Sequence, residues 1–148
     1  METMLAADYG HPASSLGLAE LFAVLYFGGV LNVSAACPFA EGRDRMVVSN
    51  GHVSAIVYAT LAEAGFISDD DLKTYARTDG LPGHLTRFAP HGVEISSGSL
   101  GQGVSVAVGM AAAFVVSYVS ASVSSFSSRA PLLFSCVCLK CPNSPSPA

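Results

Sequence analysis

Asp44-Arg45-Met46-Val47-Val48-Ser49-Asn50-Gly51-His52 is the stretch whose reading decides the fold. Met46 to Ser49 is a short apolar run that stops at Asn50-Gly51, and it reads as a buried strand. Beyond the turn, Val53, Ile56, Val57, Thr60, Leu61 and Ala64 recur at helical spacing until Gly65 ends the pattern. A strand, a tight turn and a helix in succession predict an α/β domain. Backbone N–H groups left free at such a helix start suit a phosphate, and His52 adds an imidazole donor beside them.

Upstream, Ser15 to Phe27 is almost wholly apolar and ends at Gly28-Gly29, which predicts a buried helix with a serine start and a glycine stop. Residues 30 to 44 read as a loop. Downstream, Ser68 followed by Asp69, Asp70 and Asp71 is a helix start with carboxylates where the helix dipole favours them. Residues 78 to 99, rich in Gly and Pro, form a long connection of the kind that carries function. A last helix of small residues begins near Leu100 and runs past Met110. Apart from the Gly-His pairs described next, there is no internal repeat.

Three of the four histidines directly follow glycine: Gly10-His11, Gly51-His52 and Gly83-His84. The 14 glycines and 4 histidines would give about 0.4 such pairs by chance. Glycine lets the backbone turn sharply and approach a ligand, while the imidazole can donate to an anion or relay a proton. A lone loop histidine is more often simply solvated, and His91, which follows proline, keeps that reading. Gly98-Ser99-Leu100-Gly101-Gln102-Gly103 opens the last helix and offers a second anion cradle, although glycines there also serve tight turns and close packing. Together these loops predict a polar ligand held from several sides.

Composition bounds the rest. The chain has 148 residues, 51% hydrophobic and 12% charged, which is too apolar for disorder. A net charge of −4 provides no basic face for nucleic acid. No signal peptide is legible in the first thirty residues, and four clustered cysteines fit a reducing cytoplasm better than a disulfide scaffold. Every Asp and Glu lies at or before Glu94, and every Gly at or before Gly109. That asymmetry divides the chain into residues 1–113 and a Ser/Cys/Pro-rich tail, 114–148. Cys136, Cys138 and Cys141 crowd three thiols into six residues with no fourth ligand nearby, a poor zinc set. Residues 104 to 126 carry no charge, but their serines argue against a membrane span.

Four segments in order resemble the N-terminal, thiamine-diphosphate-binding part of transketolase. They are Gly10-His11-Pro12-Ala13-Ser14-Ser15-Leu16-Gly17, Asp44 to His52 with Leu61-Ala62-Glu63-Ala64-Gly65-Phe66, Gly83-His84, and Gly92 to Gly103 with Gly109-Met110-Ala111. The resemblance implies an incomplete three-layer, parallel-sheet α/β domain, mostly helical in the part present. It implies transfer of a two-carbon ketol unit between sugar phosphates, with thiamine diphosphate and Mg²⁺. By the same resemblance His11 contacts substrate hydroxyls and aids proton transfer, and His84 binds the donor's terminal hydroxyl. His52 contacts the diphosphate, and Gly98, Ser99 and Leu100 line the cofactor. The family's metal is held by a Gly-Asp-Gly segment and an Asn downstream of the Gly-Met-Ala helix. After Gly109 this chain has neither Gly nor Asp, so ligands for Mg²⁺ are not expected here. The chain is therefore expected to be inactive by itself and to need a partner subunit. The alternative is a non-catalytic product that pairs with intact subunits or associates with a membrane.

Overall fold

The computed structural model describes residues 1–40, 42–87, 89–121 and 136–139. In chain order the elements are α1 (Glu2–Ala7), α2 (Pro12–Leu16), α3 (Ala19–Phe27), β1 (Arg45–Val48), a 3₁₀ turn (Gly51–Val53), α4 (Ser54–Glu63), α5 (Asp69–Leu72), α6 (Gln102–Ala121) and β2 (Cys136–Leu139).

β1 is the strand read from the sequence, and it is buried on both faces. Because alternate strand residues point to opposite sides, Met46 and Val48 enter one core with Phe22 and Leu25 of α3 and Val57, Tyr58 and Leu61 of α4. Val47 faces the other way, onto Ile95 and Ala107, with Met110 packed at the margin. Helices therefore lie on both sides of the strand, which is the layering of a three-layer α/β domain. α4 begins and ends as its spacing predicts, with Gly65 taking the left-handed φ of +80° just beyond it.

The upstream helix differs from the reading in one respect. Instead of a continuous helix from Ser15 to Phe27, there are two, α2 and α3, separated at Gly17-Leu18. Pro12 sits at the first helical position of α2, where its missing N–H is no loss, so the helix starts earlier than Ser15. Gly17, a poor helix former by about 1 kcal/mol relative to Ala, then ends it. α3 stops at Gly28 as expected.

β1 pairs with β2 in antiparallel register, Arg45 opposite Leu139 and Val48 opposite Cys136. The tail thus supplies a strand where the sequence suggested no element, and no parallel partner for β1 lies among the described residues. Cys136 and Cys138 fall on β2, whereas Cys141 lies outside the described residues. α6 continues through Ala121 and so crosses the division placed at residue 113. The final stretch of the apolar run, 122 to 126, also lies outside the described residues. No helix among the described residues is long and apolar enough to cross a membrane.

One ion pair joins the long connection to β1. Arg43 grips Glu94 with both guanidinium nitrogens, Nη1 on Oε1 and Nη2 on Oε2 at 3.2 Å, and both residues are buried. Arg43 also donates to the Asp44 carbonyl at 3.0 Å. The pair holds Glu94 beside the strand, just ahead of the Gly-rich segment.

Candidate functional site

The three Gly-His pairs converge. The rings of His11 and His52 meet edge to face with centroids 4.9 Å apart, and those of His52 and His84 with centroids 5.0 Å apart. His52 is therefore the middle of a row of three imidazoles contributed by three separate loops. His11 is exposed, while His52 and His84 are half-buried. His91 stays apart, packed edge-on against Phe39 at 4.9 Å.

Each loop is fixed by the chemistry of its neighbours. His11 immediately precedes Pro12 and the start of α2, and Gly10 before it holds φ +124°, a conformation open to glycine. His52 follows Asn50, whose side chain accepts the His52 main-chain N–H at 3.2 Å. That bond uses one of the main-chain donors expected to be free for a phosphate and leaves the imidazole as a further polar group at this turn. Its Nδ1 is buried without a hydrogen-bond partner among the described residues. A buried, unpaired ring nitrogen is costly unless something outside the chain satisfies it.

Gly83-His84 is held from α4. Ser54 Oγ donates to the Gly83 carbonyl at 2.6 Å and also meets Tyr75 Oη at 2.9 Å. Tyr58 Oη donates to the His84 carbonyl at 3.4 Å. Burial, with Tyr75 beside it, pushes the Tyr58 phenol well above its ordinary range, which keeps it a donor. Leu85 is buried in the main core, and its carbonyl accepts from Ser97 N–H at 2.9 Å, tying this loop to the Gly-rich segment.

Gly98, Ser99 and Leu100 lie exposed just ahead of α6. A Cβ at Gly98 would meet nothing within 4 Å among the described residues, so packing against them does not require glycine there. Two other glycines do serve close approach. A Cβ on Gly51 would come within 2.6 Å of the Ser97 carbonyl oxygen, and one on Gly103 within 2.6 Å of Ser49 Cα. These contacts bring the turn after β1 and the start of α6 together. The Ser49 and Ser97 hydroxyls nearby are buried and unpaired among the described residues. A cleft of about 280 Å³ opens between α2 and the end of β1, lined by Ala13, Ser14, Gly17, Leu18, Val48, Asn50 and Val53. It is flanked in sequence by His11 on one side and His52 on the other.

The structure thus brings His11, His52 and His84 into one cluster and leaves Gly98, Ser99 and Leu100 open to solvent. Sequence reading missed the hydroxyls that hold the third loop, Ser54, Tyr58 and Tyr75. They act across separations of 8 to 29 residues, where no spacing rule applies. Among the described residues there is no group of His, Cys, Asp or Glu that could hold a metal ion.

Comparison with known proteins identifies the family. Residues 1–126 match the family model for the transketolase thiamine diphosphate binding domain. The transketolase of Treponema pallidum is 44% identical over 109 residues, covering 72% of this chain and 16% of that protein. Among solved structures, the transketolase of Leishmania mexicana superposes with a TM-score of 0.72 at 40% identity, covering 76% of this chain and 17% of that one. The Pichia stipitis transketolase, solved in complex with sedoheptulose-7-phosphate, gives 0.71 at 30% identity, covering 80% and 18%. The chain therefore spans about one sixth of the length of the relatives it matches.

Proposed function

Because this chain belongs to the transketolase family through its thiamine diphosphate binding domain, we propose that it supplies the cofactor- and donor-binding side of a two-carbon ketol transfer between sugar phosphates. The observation that carries the reading is the row of three glycine-borne imidazoles, with the central Nδ1 of His52 buried and unpaired.

The residues present fit thiamine diphosphate. His52, whose Nδ1 has no hydrogen-bond partner among the described residues, contacts the diphosphate. Gly98, Ser99 and Leu100 line the cofactor, at a point where the absence of a Cβ leaves free space. When bound, the cofactor supplies the carbanion nucleophile, and the protein contributes orientation and proton handling. His11, the exposed end of the row, contacts the sugar hydroxyls nearest the reacting carbon and moves a proton there. His84, with its main chain locked by Ser54 and Tyr58, binds the donor's terminal hydroxyl.

Mg²⁺ does not fit in the same way. No acid follows Glu94 in the sequence, and no step is assigned to a metal held by these residues. For the 148-residue chain by itself we therefore expect no turnover and cofactor binding weaker than micromolar. Isothermal titration with thiamine diphosphate and Mg²⁺ tests the binding, and an assay with donor and acceptor sugar phosphates tests the turnover. Micromolar binding by this chain alone would overturn the second, and residual binding that survives His52→Ala would overturn the role of His52.

A second reading, a non-catalytic product that pairs with an intact transketolase-family subunit, draws support from the outer side of α6. Val104, Val108 and Val115 are exposed there, with Val108 56% accessible. Co-purification with such a subunit tests it. The cytoplasm is the proposed location, and it rests on the cysteine usage.

A further inference from the structure

The main chain of Gly83-His84 is fixed by Ser54 and Tyr58 from α4 and by Leu85 in the core, which leaves the orientation and protonation of the His84 ring to be set by something else. Tyr9 is in place to set them. Its Oη lies 3.3 Å from His84 Nδ1. Its ring lies against Gly83 so closely that a Cβ there would come within 2.6 Å of Tyr9 Cε1 and 2.9 Å of Cζ. On the side away from solvent the ring packs on Tyr75, with centroids 6.0 Å apart. Tyr9 also directly precedes Gly10-His11, so one short segment carries the first imidazole of the row and touches the third.

We propose that Tyr9 is a positioning residue that sets the tautomer of His84, an inference that rests on reading His84 as the donor to a sugar hydroxyl. A neutral imidazole carries its proton on one nitrogen only, and the hydrogen bond at the other decides which. A phenol can donate to Nδ1 or accept from it, but it is the stronger acid and the poorer acceptor of the two groups, so the bond runs from O–H to Nδ1 and places the proton on Nε2. His84 then presents an N–H to a ligand and not a lone pair. The glycine at position 83 gains a second reason for its identity: a side chain there would push the phenol off the ring it orients.

The test uses the ¹⁵N-labelled 148-residue chain and long-range ¹H–¹⁵N correlation of its imidazoles at a pH where they are neutral. In the parent chain, His84 Nδ1 is expected to show an acceptor-type shift and Nε2 an N–H-type shift. Tyr9→Phe keeps the ring and removes the hydroxyl, so both His84 signals should move toward the averaged values of a free imidazole while those of His11 and His52 stay in place. Gly83→Ala should produce the same movement with the hydroxyl still present, by displacing the phenol. A proton on Nδ1 in the parent chain, or His84 signals indifferent to Tyr9→Phe, overturns the proposal. The readout contains neither cofactor nor sugar, so a failure here is separate from a failure of the thiamine diphosphate titration.

Discussion

The two faces of β1 are built unequally. On one, Met46 and Val48 join a core that includes Phe22, Tyr58 and Leu61, each with 0% exposure. On the other, Val47 shares its cluster with Ile95 and Ala107, while Val104, Val108 and Val115 of the covering helix face outward among the described residues. The difference teaches where the site gets its rigidity. The α2 start, the α4 start and the loop that Ser54 and Tyr58 hold all rest on the well-filled face, so the imidazole row has its own foundation. The Gly-rich segment belongs to the thinner face and reaches the row through Gly51, Gly103 and the Arg43–Glu94 pair.

That contrast breaks or holds most clearly on large-to-small substitutions. Phe22→Ala removes a ring from the filled face and should cost about 4 kcal/mol in urea unfolding. Ile95→Ala, on the thinner face, should cost about 2 kcal/mol, because its surroundings have room to collapse. Equal costs would mean that the Ile95 side is packed at least as well as the other, since fewer atoms are removed there. Glu94→Gln falls between the two substitutions, at about 3 kcal/mol, since it strands the buried Arg43 guanidinium without its counter-charge. A paired Arg43→Met and Glu94→Leu replacement should recover most of that loss, which a purely steric role would not permit.

The filled face was also the legible one. β1, α4 and their glycine stop follow from apolar periodicity, and the capping box at Ser68 and Asp71 forms as the sequence implies. The three Gly-His loops were singled out by a local pattern that needs no tertiary knowledge. What stayed hidden has two causes, one local and one distant. The break at Gly17 follows from where α2 starts, and α1 is a short helix without a side-chain cap. β2 lies in a segment that reads as a tail, and its strand character comes from pairing with β1 some 90 residues away. Propensity cannot anticipate such contacts, because the decisive energy is packing.

The anchoring of His84 can be separated from packing by pH. Burial, and secondarily the neighbouring Tyr75, raises the Tyr58 phenol from its ordinary 10.0. Above that pH the unfolded chain releases the proton while the folded chain keeps it, so stability is full below about 10 and falls as pH rises further. Tyr58→Phe should lose about 1 kcal/mol at neutral pH, the net worth of one hydrogen bond, yet show a shallower alkaline decline. Tyr75, raised mainly by burial, leaves a smaller decline of the same sign in that variant. Thermal unfolding from pH 8 to 11 reads both effects, and an unchanged alkaline slope would remove Tyr58 from the account.

The smallest expected effect is the sharpest statement about the thinner face. Val108 is 56% accessible on the outside of α6, so Val108→Ser should change the stability of the isolated chain by no more than about 0.5 kcal/mol. A cost approaching that of Ile95→Ala would show that the outer side of α6 is covered within this chain, and the two faces of β1 would then be more alike than they look. If the stability is unchanged while co-purification with a transketolase-family subunit weakens, the apolar side of α6 is where that subunit docks. The thin face would then owe its shape to an association, and the filled face to folding alone.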